Sequence, residues 1–283
     1  MIVLRKLWPW VLAILIGVVL CIVLVQTLHH SRVVSNRHRE REPLRVGYAI
    51  EPPYVQIEPG GRISGEEPEV LRAVLEAAGE AEPVWIFHDF SELIPALRAG
   101  RIDIIATGLF ITPEREQLVD FTQPTMRVGT GLLVARGNPS RLRRMADLLS
   151  KPGLALAVIS GAVEGQQARA LGIGVQQILE LPDANSCIAA VRAGRAAAFA
   201  LSLPSLQLAL RQNPTAAVEL ALSDSQDSAA FGRPAFAVRQ GDPLRQRLDH
   251  VLAGWLGSPA HLDILLRHGF ITAAEAAASG AAR

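Results

Sequence analysis

Cysteine is nearly absent from these 283 residues: Cys21 lies in an apolar run and Cys187 has no partner elsewhere, so no disulfide framework staples the chain. A large basic block is missing as well. With a formal net charge of +1, the balance of charges gives no support for nucleic-acid binding. Nor does the sequence carry the usual catalytic signatures. "ALGIGV" at 170–175 has neither the GxGxxG nor the Walker spacing, and no GxSxG elbow occurs. His88, His250, His261 and His268 fall at no recognised metal spacing, which excludes a metal site of familiar type. Asp103, in an apolar strand, reads as a structural carboxylate bonded to a turn rather than a general base. No cofactor is implied.

What the chain does have is a greasy front. Leu7 to Leu28 is an uncharged stretch of 22 residues, preceded by Arg5 and Lys6, and long enough for the roughly 20 residues of a spanning helix. It lacks a small-x-small cleavage site, and Leu20 precedes Cys21 where a lipoprotein signal wants a small residue. The expected organisation is a cytoplasmic N-terminus (1–6), a transmembrane signal anchor (7–28) and a juxtamembrane linker (29–43) containing "RHRER". Arg32, Arg37, Arg39 and Arg41 follow the apolar run, so the positive-inside rule by itself leaves the orientation open.

From Leu44 onward, short apolar runs alternate with amphipathic stretches, the pattern of an α/β protein with parallel strands. "LRVGYAI" reads as a strand. "SGEEPEVLRAVLEAAG" follows as a helix with Ser64 as N-cap, an apolar face of Val70, Leu71, Val74 and Leu75, and Gly79 as stop. "SELIPALRAG" repeats the form with Ser91 as cap; "RIDIIATG" is the next strand, and "TPEREQLVDF" the next helix with Thr112 as N-cap and Pro113 at its first position. A second βα series opens at "LALAVISG" and continues through "NSCIAAVRAG" and "AAAFALS". "FGRPAFAVRQ" then supplies another strand, followed by the helix "PLRQRLDHVLAGWLG". One series inserted in another predicts two lobes joined by two crossings: 44–135 with 230–283, and 136–229. A ligand cleft lies between such lobes.

"TGLFITPER", Thr107 to Arg115, puts an arginine in the first turn of a helix, where the dipole favours acids. Arg115 either pairs with Glu114 or Asp120 on a solvated face or presents its planar fork to an anion from outside the chain.

These segments resemble the type II solute-binding proteins of ABC transporters, the family that includes polar amino-acid receptors. The likeness runs from about Leu44 to Ile271, with "LIPALRAGRIDIIATGLFITPEREQLVDFTQP" as its most specific stretch. It implies a two-lobed, hinged periplasmic-binding-protein-like fold (type II), here preceded by one N-terminal transmembrane helix. It also implies a non-enzymatic receptor on the extracytoplasmic side of the inner membrane, monomeric, tethered by its N-terminal helix and delivering its ligand to ABC permease subunits. Arg115 stands where the family holds a ligand carboxylate, with Gly108 in the same turn. "GYAIEPPY", "GEEPEVLRAVL" and Phe110 look closest to ectoine and hydroxyectoine receptors. On that resemblance Glu51 faces the ligand's ring cation, and Tyr54, Phe90 and Phe110 form an aromatic box. Two positions depart from the amino-acid receptors: Ser202 replaces the usual aspartate for an α-amino group, and Ala162 replaces a threonine at a helix start. The expected ligand is therefore a small, ectoine-like zwitterion. The rival readings are a membrane-tethered sensor module and an enzyme like the cyclohexadienyl dehydratases, with Glu51 as its acid.

Overall fold

The computed structural model describes residues 42–215, 217–221 and 231–281; the expected cytoplasmic N-terminus and transmembrane segment, and nearly all of the linker, lie outside them. Among the described residues no helix is long and apolar enough to cross a membrane.

Alternation of apolar side chains builds the first sheet. Its strands are β1 (Arg45–Tyr48), β4 (Val84–Phe87), β5 (Ile104–Ile105), β6 (Asp120–Phe121) and β13 (Ala237–Val238), in the order β4-β1-β5-β13-β6. β1 runs parallel to β4 and β5, and β13 runs antiparallel to β5 and β6. Successive residues point to opposite faces. Val46, Ile104 and Val238 thus meet α1 (Glu66–Ala77) and α7 (Leu244–Trp255), while Ile105, Ala237 and Phe121 meet α2 (Leu93–Arg98). The expected apolar face of α1 is buried: Val70, Leu71, Val74 and Leu75 are at most 1% exposed. A two-stranded ribbon, β2 (Gln56–Ile57) and β3 (Ile63–Ser64), leads into α1.

The second sheet has the order β11-β7-β10-β8-β9: β7 (Val128–Ala135), β8 (Leu156–Ile159), β9 (Ile178–Leu181), β10 (Ala198–Ser202) and β11 (Val218–Leu220). Leu133, Phe199 and Leu201 pack on α5 (Ala184–Arg192), which buries Cys187; Leu132, Val134 and Ala200 fill the opposite face. The expected division counts β7 with the first lobe, but its hydrogen bonds go to β10 and β11 of the second. The chain returns through β12 (Phe231–Gly232), which pairs antiparallel with the start of β7 in the register Phe231↔Gly129 and Gly232↔Val128. The two crossings are thus one short ladder.

Some local expectations move. Ser64 belongs to β3, and the N-cap of α1 is Gly65 at φ 117, a conformation that favours glycine. A Cβ there would also lie 2.3 Å from the Tyr54 carbonyl oxygen. Ser91 does not cap α2 but sits inside a 3₁₀ turn, Phe90–Glu92, capped by Asp89. Thr112 does cap its helix, α3 (Pro113–Glu116), by accepting from the Arg115 amide. That helix ends early because Phe121 is drawn into the sheet opposite Ala237. "FGRPAFAVRQ" is two strands rather than one, since Pro234 has no amide to give a ladder.

Asp103 is structural, but it is held by arginines rather than bonded to a turn as expected. Both of its oxygens are bound by the Arg45 side chain, at 2.9 Å, and Arg239 adds a third contact. His261 accepts from the Gly257 amide at 2.8 Å, and His268 pairs with Glu69 at 2.9 Å, so both histidines serve packing.

Two features of this scaffold generate tests. The Phe110 ring, in a strand bridge with Pro234, lies so close to β12 that a Cβ on Gly232 would come within 2.0 Å of it. Gly232→Ala is therefore expected to destabilise the chain by about 1–3 kcal/mol in urea unfolding, through overpacking at the crossing. At the start of α1, Glu66 and Glu67 are wholly buried, and their carboxylate oxygens have no hydrogen-bond partner of good geometry, although the Gly108 backbone is near enough to act on Glu67. Burial pushes Glu67 up to about 8, partly offset by the Gly108 backbone, and raises Glu66 further, with the Glu67 charge adding to it. Acids raised in the folded state hold more protons there than in the unfolded chain, so they favour folding below about 4.5 and lose that effect as pH rises toward about 8. Thermal unfolding from pH 5 to 8 should show a falling Tm for the parent chain and a shallower fall for Glu67→Gln.

Candidate functional site

A pair of reciprocal backbone bonds positions the first acid. Glu51 and Val55 exchange N–H···O bonds of 3.1 Å each, closing a tight turn that carries Glu51 and Tyr54. Thr107 ties that turn to the "TGLFITPER" loop, since its hydroxyl donates to the Ala49 carbonyl at 3.0 Å and accepts from the Ala49 amide at 3.1 Å. Gly108, at φ 69, then passes directly under the Tyr54 ring, where a Cβ would lie 2.7 Å from a ring carbon. Gly108 is thus a close-approach position.

Glu51 reaches across to the second lobe. Its Oε1 accepts from Ser205 Oγ at 3.1 Å, and Ser205 accepts from Ser202 Oγ at 2.9 Å. Ser205 lies in α6 (Leu203–Gln212), which Ser202 precedes as N-cap. The carboxylate missing at position 202 is thus answered by a carboxylate brought to the same place from the opposite lobe. Burial pushes Glu51 up to about 8, and the Glu164 charge adds to the rise while the Ser205 hydrogen bond opposes it.

Arg115 bridges the lobes in the other direction. It is 4% exposed; Nη1 donates to the Phe110 carbonyl at 2.6 Å within its own lobe, and Nη2 donates to the Gly161 carbonyl of the other at 2.9 Å. Neither Glu114 nor Asp120 holds it in an ion pair among the described residues, so the solvated-face reading fails on burial. Desolvation lowers its pKa to about 10, with Glu164 and Glu114 pulling it back up. Gly161 is pressed against the first lobe, where a Cβ would meet the Ser91 Cα at 2.9 Å.

The aromatic residues divide. Phe90 is half-buried, packs on both lobes and lies beneath the guanidinium of Arg115, 5.8 Å from ring centroid to Cζ. Tyr54 and Phe110 join Tyr48, Val128 and Val163 in one cluster that draws on both lobes. Tyr54 also meets Phe270 edge-on at 4.8 Å. Its hydroxyl is buried without a hydrogen-bond partner of good geometry, although Ser202 is near enough to act on it. Ala162, the N-cap of α4 (Val163–Ala170), offers no side-chain cap.

Of the eight residues singled out from the sequence, Glu51, Tyr54, Phe90, Phe110, Arg115 and Ser202 are linked across the lobe junction, Gly108 lies under Tyr54, and Ala162 belongs to the core of the second lobe. One that was not singled out joins them. Glu164, in the first turn of α4, is 3% exposed; burial raises it to about 7, opposed by a bond from its own backbone N–H and by the Arg115 charge. Its signal in the sequence was a lone acid in the short-side-chain segment "SGAVEG".

A cavity of about 580 Å³ reaches Arg115 and Gly161 from the solvent side, past Arg98, Glu114 and Leu118. Its lining includes none of Glu51, Tyr54, Phe110 or Ser202, all of which are buried. Chemically the enclosed region offers one cation, two acids, hydroxyls and ring faces. It suits the holding of a small charged molecule.

Several known proteins are similar to this chain in sequence and fold. A Sinorhizobium fredii protein named as a probable amino-acid ABC transporter periplasmic-binding protein is 29% identical over 84% of this chain and 81% of its own. Among solved structures, EhuB in complex with hydroxyectoine superposes with a TM-score of 0.75 at 28% identity, covering 83% of this chain and 91% of that one. An ancestral arginine-binding protein bound to arginine gives 0.72 at 25% identity, covering 81% and 99%. Residues 44–257 match the sequence profile of one family over most of the chain, and the protein belongs to it: the bacterial extracellular solute-binding proteins, family 3.

Proposed function

We propose that the chain is an extracytoplasmic receptor that binds a small zwitterionic, amino-acid-like compound of the ectoine type and delivers it to an ABC permease. One observation carries this reading. An acid, Glu51, and a base, Arg115, are both buried at the lobe junction, and each bonds to the opposite lobe. Charges are buried at such cost only where they are paired or hydrogen-bonded, and here each is poised for a partner of its own sign preference. Arg115 presents a planar fork to a carboxylate. Glu51 takes the ligand's cation, beside the faces of Tyr54 and Phe110, where cation–π attraction contributes about 0.5–2 kcal/mol when partly desolvated. The Phe110 and Gly161 carbonyls accept from the guanidinium and fix its direction. Gly108, Phe90, Ala162 and Ser202 shape the walls: Gly108 by close approach, Phe90 by supporting Arg115, Ala162 by leaving helix N–H groups uncovered, and Ser202 by relaying to Glu51.

The family match and the binding-protein name of the Sinorhizobium fredii relative support holding a ligand over converting it. The apolar run 7–28 would serve as the tether that keeps the receptor beside its permease. An enzymatic reporter fused after Arg283, active only outside the cytoplasm, is expected to be active; activity confined to the cytoplasmic version of the reporter would reverse the assigned orientation.

Calorimetric titration with ectoine, hydroxyectoine and cyclic amino acids tests the ligand class, and binding of at least one of them is expected. Arg115→Ala should abolish that binding. Phe110→Ala should weaken it by about 1–3 kcal/mol through lost packing and stacking. Undiminished affinity in the Arg115 variant would remove the central claim.

A further inference from the structure

Ser202 occupies a helix N-cap without capping. It ends β10 and precedes α6, the position from which a serine ordinarily accepts the backbone N–H of the second or third helical residue. Its side chain makes no such bond. Instead Ser202 Oγ donates to the side chain of the third residue, Ser205, at 2.9 Å, and Ser205 Oγ donates onward to Glu51 Oε1 of the first lobe at 3.1 Å. All three side chains are buried.

We propose that Ser205 is a positioning residue for ligand binding: by donating across the lobe junction it holds the Glu51 carboxyl as an acceptor, ready to meet a ligand cation while the closed lobes shut out water. This rests on the reading of Glu51 as the partner of the ligand's cation, and adds a residue to it.

The direction of the relay is the first argument. A hydroxyl has a single proton, and Ser205, which accepts from Ser202, commits its own to Glu51. Both protons of the serine pair thus run toward the acid, an order that suits a carboxylate and lets each bond polarise the next. The helix gains nothing from it, since its N-cap is left unmade.

The surroundings of Glu51 are the second. The second lobe bonds the two charged arms of the site through neutral groups, the Gly161 carbonyl on Arg115 and the Ser205 hydroxyl on Glu51. The titratable groups that face Glu51 are Glu164 of α4, whose charge opposes its ionisation, and Tyr54 of its own turn, with Glu66 of α1 acting on Tyr54 in its turn. None of these is a cation. Burial pushes Glu51 up to about 8, and the Ser205 hydrogen bond is what favours its charged form.

A merely structural role is separable by sign. Removing the Ser205 hydroxyl raises the proton affinity of a buried Glu51, whereas a loosened α6 admits water to the acid and lowers it. The first change also costs ligand affinity only at a pH where Glu51 must give up a proton to meet the cation.

The test follows Glu51 by carbon-13 NMR of the full chain in detergent micelles, labelled at the glutamate side-chain carboxyls, with its signal identified by loss in Glu51→Gln. Ser205→Ala should raise the proton affinity of Glu51 about tenfold over the parent, and Ser202→Ala, which removes the donor behind Ser205, about threefold. Calorimetric titration with ectoine gives the binding readout. Ser205→Ala should bind ectoine about tenfold more weakly at pH 7 and within about twofold of the parent at pH 9.5, where Glu51 is ionised in either chain. An unchanged or lowered Glu51 midpoint in Ser205→Ala, or an equal loss of ectoine affinity at both pH values, overturns the proposal and leaves the receptor reading standing. Should Ser205→Ala fail to fold, an unmoved midpoint in Ser202→Ala overturns it. Failure of the folded parent to bind ectoine, with the midpoints shifted as expected, overturns the ligand reading, and the role of Ser205 in binding falls with it.

Discussion

A single guanidinium organises the lobe junction. Arg115 is held within its own lobe by the Phe110 carbonyl and across the gap by that of Gly161, with the Phe90 ring beneath it. Each contact constrains something else. The bond to Phe110 fixes the loop that presents Gly108 to Tyr54, and the bond to Gly161 demands a glycine where the chain nearly touches Ser91. The site's geometry follows from where this buried cation must find oxygen.

The acids form the complement. An arginine can stay charged when buried because its pKa has far to fall before it matters near neutrality; a carboxylate has no such margin. Glu51 and Glu164 consequently sit close to their titration points, and the serine relay at Glu51 recovers only part of what burial costs. The site is thus responsive to the charge of whatever enters it, whereas its arginine is a constant.

Much of this was readable in the chain. Apolar alternation and helix periodicity located β1, β5, β7, β8 and β10 and the helices α1, α2, α5 and α7, whose residues are covered on the sheet faces, but not the shorter or half-exposed strands β2, β3, β4, β6, β9 and β11. Arg115 stood out because a cation in a helix's first turn contradicts a local rule, and such contradictions mark functional positions. The misreadings have a common source. Ser64 and Ser91 look like caps, but tertiary pairing claims one for a strand and a 3₁₀ turn encloses the other. The strand β7 looks continuous with the first lobe, and only non-local hydrogen bonding assigns it to the second. Glu164 passed unnoticed because an acid at a helix start obeys the rules; its meaning comes from burial beside Arg115, which no local pattern encodes.

The two crossings between the sheets are hydrogen-bonded to each other, Phe231 opposite Gly129 and Gly232 opposite Val128. A paired ribbon of two strands behaves mechanically unlike two loose threads. It resists stretching and sliding, because either would break its register, but it yields readily to bending and to a change in twist, which leave the register intact. The ribbon therefore leaves the lobes bending and twisting as their soft motions. The Phe110 ring wedged on Gly232 sits at its pivot, where packing at the ligand site and the angle between the lobes become the same variable.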